Sequence, residues 1–383
     1  RVFILAGEKS ADQHGAELVR ALRELEPGIE VQGYGGQSLS DAGALVKPDL
    51  VNNAVVGVGP IIPRIPFFVR TFFAAARWIR EWQPDVVIPI DNPGFNMWLS
   101  WWVRRAGARV LYYVSPQVWA WWRGRIKGYK KNIDKMLCLF PFEEALYLEQ
   151  GIRVEYVGHP LFDYIPKERP DPGYLASIGA KPGDPLVVLL PGSRDRSTGR
   201  LLPLFLEVAK RIQAARPAVR FVLPAARPHF VEPMRAAAKE RGLEVAVTEG
   251  RAHEAMRHAR AAIVTSGTST LECMYFGLPM TIVYRLGLVE WLGLQVMLAT
   301  KHLGYVNIFA DREIVPEFVD WRDRPDEIAA AAIPLIDEGP RREQCLKDLA
   351  VERAKLGEAG ASRRAAEAVL GMIRERRRRK REK

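Results

Sequence analysis

Short runs of β-branched and apolar residues alternate with longer stretches of helical spacing, and the alternation comes in two series. Val2–Leu5, Val86–Ile90 and Arg109–Val114 read as buried parallel strands, with helical spacing over Gly15–Glu26 and Phe67–Trp82. A second series runs through Leu186–Leu190, Phe221–Pro224, Glu244–Val247, Ala261–Val264 and Met280–Val283, with helices over Leu201–Ala215 and Pro233–Arg241. Two successive series predict two doubly wound α/β domains rather than one barrel. Proline and glycine crowd the stretch Pro160–Asp184, which marks the seam. The expected division is 1–165, 166–345, a C-terminal helical segment 346–373 within a helical stretch Glu343–Glu375, and a basic tail 374–383.

In such folds ligands meet the loops that follow the strands, here expected to face a cleft between the domains. Four loops stand out. The first, Ala6-Gly7-Glu8-Lys9-Ser10-Ala11-Asp12, follows the opening strand, and Ser10 or Asp12 is placed to cap the next helix. The second, Ile90-Asp91-Asn92-Pro93-Gly94-Phe95-Asn96, puts a carboxylate at a strand end; Asp91 either takes a proton from a sugar hydroxyl or closes an Asx-turn. The third, Leu190-Pro191-Gly192-Ser193-Arg194, offers backbone amides and a guanidinium to a phosphate, or is an exposed turn. The fourth, Thr265–Glu272, is rich in hydroxyls. Glu272 either accepts from a ribose diol or forms a capping box with Ser269.

Neither GxGxxG nor GxxxxGK[ST] occurs, which removes support for dinucleotide binding and for P-loop nucleotide hydrolysis. Three scattered cysteines (Cys138, Cys273, Cys345) without a CxxC pair argue against disulfides and thiolate zinc. His253 and His258 are five residues apart, about 140° around a helix, so a shared zinc ion is not expected. No metal site and no cofactor is predicted. His159, in Gly158-His159-Pro160, reads as an orienting hydrogen-bonder rather than a base.

Net charge is +11, and the last ten residues, with eight basic and two acidic side chains, carry +6 of it. That block is either a solvated tail or a contact for an anionic partner, membrane or nucleic acid. Arg1–Gly7 is too short an apolar run for a signal peptide, and the chain opens without Met, so a few residues are expected to precede it. No stretch reaches the roughly 18 uninterrupted apolar residues of a membrane span. Yet eight of the ten tryptophans lie between Trp78 and Trp122. Phe68, Phe72, Ala75 and Ile79 share one side of a helix, with Arg70, Arg77 and Arg80 on the other, and Ile61-Ile62-Pro63-Arg64-Ile65-Pro66 and Met97–Trp102 add apolar surface. Tryptophan and arginine beside aliphatics is the composition of an interfacial membrane contact, favoured here over a core helix or a base-stacking platform.

These blocks together resemble the lipid-A-disaccharide synthase family, glycosyltransferases of the two-Rossmann (GT-B) class. The resemblance rests on the A-G-E-x-S-x-D opening, Ile90-Asp91…Pro93…Phe95-Asn96, Tyr113-Val114-Ser115-Pro116-Gln117-Val118-Trp119-Ala120-Trp121, Phe140-Pro141-Phe142-Glu143, Gly158-His159-Pro160, Leu190–Arg194, Ser266–Glu272 and Asn307. It implies a metal-independent inverting transfer from UDP-2,3-diacylglucosamine to 2,3-diacylglucosamine 1-phosphate (lipid X). It also implies a cytoplasmic protein, peripheral on the inner face of the inner membrane of Gram-negative bacteria. Asp91 then matches the base, with Glu8 or Asp12 as the fallback. Gly192, Ser193, Arg194, Ser266, Gly267, Thr268, Glu272 and Asn307 match the UDP side. Ser10, Phe68, Phe72, Trp98, Ser115, Gln117 and Trp119 are assigned to the acceptor and membrane side. Two departures stand out: Ala11 where the family has glycine, and Gly94 in place of a second acid, which leaves Asp91 the one acid of its loop. A UDP-N-acetylglucosamine 2-epimerase is the runner-up and a basic nucleic-acid-binding protein a more distant one; nucleic acid is not expected as a partner.

Overall fold

The computed structural model describes residues 1–47, 64–119, 124, 126–165, 169–297, 300 and 302–382. The expected apolar residues Ile61-Ile62-Pro63 and the pair Ala120-Trp121 lie outside them. Two compact units emerge, Arg1–Lys167 with Leu356–Lys383, and Glu168–Lys355.

The first unit holds strands β1 (Val2–Ala6), β2 (Val31–Tyr34), β3 (Leu45–Lys47), β4 (Val86–Ile90), β5 (Arg109–Tyr113), β6 (Lys135–Cys138) and β7 (Val154–Tyr156). They form one parallel sheet in the order β3-β2-β1-β4-β5-β6-β7. β1 and β4 are buried along their whole length, which is why their sequences are continuous apolar runs rather than alternating ones. Pro89 lacks an N–H. The β4–β5 register, read at Val86↔Arg109 and Val87↔Val110, resumes only at Ile90↔Tyr113, so the ladder opens around the proline just before Asp91.

The second unit holds β8 (Leu186–Leu190), β9 (Arg220–Ala225), β10 (Val245–Glu249), β11 (Ala261–Thr265), β12 (Met280–Arg285) and β13 (Glu317–Asp320), in the order β10-β9-β8-β11-β12-β13. In each sheet the winding direction reverses once, between β1 and β4 and between β8 and β11. Ligands of open α/β sheets bind beyond the strand C-termini at such switch points.

The C-terminal region departs from the expected division. The predicted helical stretch Glu343–Glu375 is two helices, Pro340–Lys355 in the second unit and Ala361–Arg381 in the first. The break falls where Gly357 and Gly360 take left-handed backbone conformations, φ +75° and +102°. Residues 374–381 are the last turns of the closing helix, with Arg374, Arg377, Arg378 and Arg379 exposed. Arg376 donates to the carbonyls of Pro84 and Asp85, and Arg377 pairs with Asp85 at the start of β4.

At its other end the closing helix is anchored by Asp163. This buried carboxylate accepts from the amides of Gly360, Ala361 (3.2 Å) and Ser362 (2.7 Å), donors that a helix start leaves unpaired. Asp163→Ala should lower the stability of the first unit by about 2 kcal/mol, since buried amides lose their acceptor. Urea unfolding checks this, and an unchanged midpoint would show that other contacts hold the helix.

Candidate active site

In the first unit the loops after β1 and β4 touch at the switch point. A Cβ on Gly7 would lie 2.2 Å from Nδ2 of Asn92, so a larger residue there would force the Asn92 side chain to move. Glu8 then precedes the helix Lys9–Leu25, with Ser10 half-buried in its first turn. Ala11 sits fully buried within that regular helix, so replacing glycine there demands no special backbone conformation.

Asp91 and Asn92 are both left-handed, φ +48° and +46°. Such a pair is held rather than preferred, costing of order 1 kcal/mol per residue. The holding bonds are explicit. The Asp91 amide donates to Tyr113 O (3.1 Å), and its carbonyl accepts from Tyr112 Oη (2.6 Å) and Asn96 Nδ2 (2.7 Å). The helix Pro93–Arg105 follows at once, and Asp91 is half-buried at its approach.

Asp12 has different work from that expected. It does not cap its own helix. Its carboxylate, 4% exposed, accepts from the amides of Gly36 (2.6 Å), Ser38 (3.0 Å) and Leu39 (3.2 Å), fixing the loop after β2. These three bonds make Asp12 an anchor of that loop.

After β5 the chain turns through Val114, whose φ of +64° is an outlier for a β-branched residue. Ser115 and Trp119 are buried and Gln117 half-buried. Trp119 Nε1 donates to Glu143 at 2.9 Å. Burial pushes the Glu143 carboxyl up to about 7, against the bonds from Trp119 and two backbone amides that favour its charged form.

Two histidines lie nearby, with His14 and His159 edge to face at 5.4 Å. His159 Nδ1 accepts from the Leu161 amide (3.1 Å), so the ring orients its own turn, as expected. Burial lowers both pKa values, that of His14 to about 4 with Glu8 opposing the shift, that of His159 well below its ordinary range.

In the second unit the loops after β8 and β11 meet in the same manner. Gly192 has φ +115°, and a Cβ there would lie 2.7 Å from Ser197 Oγ and 3.5 Å from Thr265 Cγ2. Ser193 and Arg194 are exposed, and the helix Asp195–Ala215 starts directly after them, six residues before the predicted start at Leu201. Gly267, φ +140°, opens the helix Thr268–Tyr275. Two helix N-termini therefore follow neighbouring strands, each presenting unpaired amides suited to an anion.

The capping box between Ser269 and Glu272 does not form, because the helix already begins at Thr268. Glu272 instead lies 3.5 Å from His253 Nε2, on the short helix Ala252–His258. Sequence spacing gave no sign of this pairing, since the two residues come from separate crossovers. Asn307, expected on the nucleotide side, is bonded within the protein. It is fully buried and bonded on both sides, its Nδ2 to Val315 O (3.0 Å) and Glu317 Oε2 (2.9 Å), its Oδ1 from the amides of Ile314 and Val315. Glu317 in turn accepts from Leu303 and Gly304, and Ser266 Oγ donates to Leu303 O (3.0 Å). Asn307 thus braces the segment against which Ser266 rests.

The apolar surface of the first unit is real, but its membership differs. Phe68 and Phe72 are half-buried and pack on the core. The exposed residues are Ile65, Val69 and Phe73 (66%) on the helix Ile65–Trp82, and Trp98 (71%) and Trp101 on the helix Pro93–Arg105. Arg105 lies over the Trp101 ring at 4.0 Å. Among the described residues no helix is long and apolar enough to cross a membrane.

The family profile of lipid-A-disaccharide synthetase matches residues 2–371. The chain belongs to that family. The lipid-A-disaccharide synthase of Myxococcus xanthus is 38% identical over 374 residues, 97% of each chain, and that of Geobacter sulfurreducens 38% over 379 residues, again 97% of each. Among solved structures, a putative UDP-N-acetylglucosamine 2-epimerase from Listeria monocytogenes aligns with TM-score 0.67 at 14% identity, covering 98% of this chain and 96% of that one. The calicheamicin glycosyltransferase CalG4 aligns at 0.62 and 14%, covering 98% of each. Those likenesses establish the GT-B fold alone, which epimerases and glycosyltransferases share. Family membership decides the reaction class, a lipid A disaccharide-forming glycosyltransferase.

The histidine pair generates a pH dependence. A folded-state pKa near 4 lies below the unfolded value of 6.5, so the unfolded chain binds the proton first as pH falls. The stability from neutral, buried His14 is complete above about pH 6.5 and drains away toward pH 4. His14→Leu should lose about 2 kcal/mol less than wild type between pH 7 and 4.5, measured by urea unfolding. Parallel pH profiles would refute the assignment.

Proposed function

We propose that the chain condenses UDP-2,3-diacylglucosamine with 2,3-diacylglucosamine 1-phosphate, giving the β-1′,6-linked lipid A disaccharide 1-phosphate and UDP. The observation that carries the mechanism is Asp91. It is a carboxylate at a strand end, on a backbone strained into the left-handed region and held there by three hydrogen bonds. Such backbone strain clusters at active sites, which supports the reading.

In the proposed displacement Asp91 takes the proton from the acceptor 6-hydroxyl. That oxygen attacks the anomeric carbon, and the bond to the β-phosphate breaks with its electron pair leaving on UDP. Arg194 and the helix starts at Asp195 and Thr268 receive the developing charge, so no metal is required for that task. Glu272 accepts from the ribose diol, Gly192, Ser193, Ser266 and Gly267 line the phosphates, and Glu8 is the second carboxyl on the acceptor side. Ser10, Ser115, Gln117 and Trp119 belong to that acceptor side.

A thin-layer assay with radiolabelled lipid X, the UDP donor and EDTA tests the reading. Disaccharide phosphate should form in the presence of chelator. Asp91→Asn should cut turnover at least about 100-fold, the ordinary contribution of a general base, and leave UDP affinity unchanged by calorimetry. Near-normal turnover would move the base to Glu8. Isomerised nucleotide sugar in place of disaccharide would favour an epimerase.

The acyl chains of both substrates account for the apolar surface. We assign the exposed Ile65, Val69, Phe73, Trp98 and Trp101 to the inner face of the inner membrane, with nearby arginines toward the headgroups. Replacing Val69, Phe73 and Trp98 together by Ser should reduce sedimentation with anionic liposomes at least tenfold while UDP affinity persists. Undiminished binding would exclude this face as the membrane contact.

A further inference from the structure

The helix Pro141–Glu149 governs three strand ends with three side chains. Glu143, 1% exposed, accepts at Oε1 from the Trp119 indole (2.9 Å) and at Oε2 from the amides of Leu139 (3.3 Å) and Phe140 (3.2 Å). Glu144 accepts from the Tyr156 amide at 3.0 Å, at the end of β7. One turn on from Glu143, the Tyr147 hydroxyl donates to Pro116 O at 2.6 Å.

Glu143 and Tyr147 therefore tie down opposite ends of Ser115–Trp119, the segment that leaves β5 through the left-handed Val114. A β-branched residue stays in that region only where its surroundings over-determine it. The two tethers supply that constraint. Burial pushes the Glu143 carboxyl up to about 7, so its hydrogen bonds are made against a desolvation cost. What the carboxyl uniquely offers is two acceptor oxygens, one for the Trp119 indole and one for the amides of the β6 loop, which locks the two loops to each other.

We propose that Glu143 is a positioning residue for the transfer reaction: acting through Trp119, with Tyr147 as second tether, it sets the Ser115–Trp119 segment where the acceptor sugar is held. The inference rests on the acceptor-side reading of the first unit. It is independent of the UDP-side residues, which lie in the other unit.

The test uses full-length protein labelled with 5-fluorotryptophan, the Trp119 resonance being assigned by its loss in Trp119→Phe. In Glu143→Gln one oxygen becomes a donor, so either the indole or the amide pair loses its acceptor. The Trp119 resonance should shift or split, kcat/KM for the lipid acceptor should fall at least tenfold, and UDP affinity should stay within twofold. Tyr147→Phe removes only the second tether. It should act in the same direction with a smaller loss, and it carries the test if Glu143→Gln does not fold. An unmoved Trp119 resonance, or a displaced one with unchanged kcat/KM, would overturn the proposal. Wild-type protein that forms no disaccharide would sink the reaction reading and the positioning role together, while the tether would still be read from the Trp119 resonance.

Discussion

At each sheet's switch point the loops leaving two neighbouring strands pack closely, and a glycine sits at the contact. Gly7 lies against the Asn92 side chain in the first unit, and Gly192 against Ser197 and Thr265 in the second. A methyl group at Gly7 would meet Asn92 Nδ2 at 2.2 Å and one at Gly192 would meet Ser197 Oγ at 2.7 Å, so those side chains would have to turn away; at Gly192 a φ of +115° adds backbone strain for any other residue. The loops that carry Asp91 and Arg194 thus pack against residues that carry no chemistry of their own.

Buried carboxylates and amides then hold what the glycines bring together. Asp12 secures the loop after β2, Asp163 the start of the closing helix, Asn307 and Glu317 the segment beneath Ser266, and Glu143 the loops after β5 and β6. In each case a side-chain oxygen accepts from backbone amides that neither sheet nor helix satisfies, and an unpaired buried amide costs about 1–3 kcal/mol. These residues lie in or beside the most recognisable sequence blocks. A distinctive motif in this chain is therefore as often a brace as a reactive group. Asp12 and Asn307 were legible as important and illegible in role for that reason.

What could be read from the residues alone follows the burial pattern. The strands with continuous apolar runs, such as Val86–Ile90 and Leu186–Leu190, are covered on both faces and declare themselves. β3, β7 and β13, three or four residues long and half-exposed, stand at sheet edges where no run of hydrophobic residues is required. Asp91 was visible because a strand end followed by Asp-Asn-Pro constrains both position and turn. The pairing of His253 with Glu272, and of Trp119 with Glu143, joins separate crossovers, and no local period encodes it. Helical periodicity placed Phe68 and Phe72 on an apolar side of their helix, but that side is the one turned to the core. The exposed residues Val69 and Phe73 lie on the flank beside it.

The fold itself leaves the reaction open, since a putative UDP-N-acetylglucosamine 2-epimerase and the calicheamicin glycosyltransferase both align along nearly the whole chain. The discriminating physics lies outside the shared core. A nucleotide-sugar isomerase has no use for Ile65, Val69 and Phe73 exposed on one helix and Trp98 and Trp101 on another, because a grouped apolar surface invites association without helping to bind a sugar. The proposed diacylated substrates would change that balance: with their acyl chains in the bilayer while the sugars react, an enzyme gains by lying against it. Under that proposal the exposed aromatic surface and the loops held by Glu143 are parts of one adaptation, in which the first unit serves the lipid and the second the nucleotide.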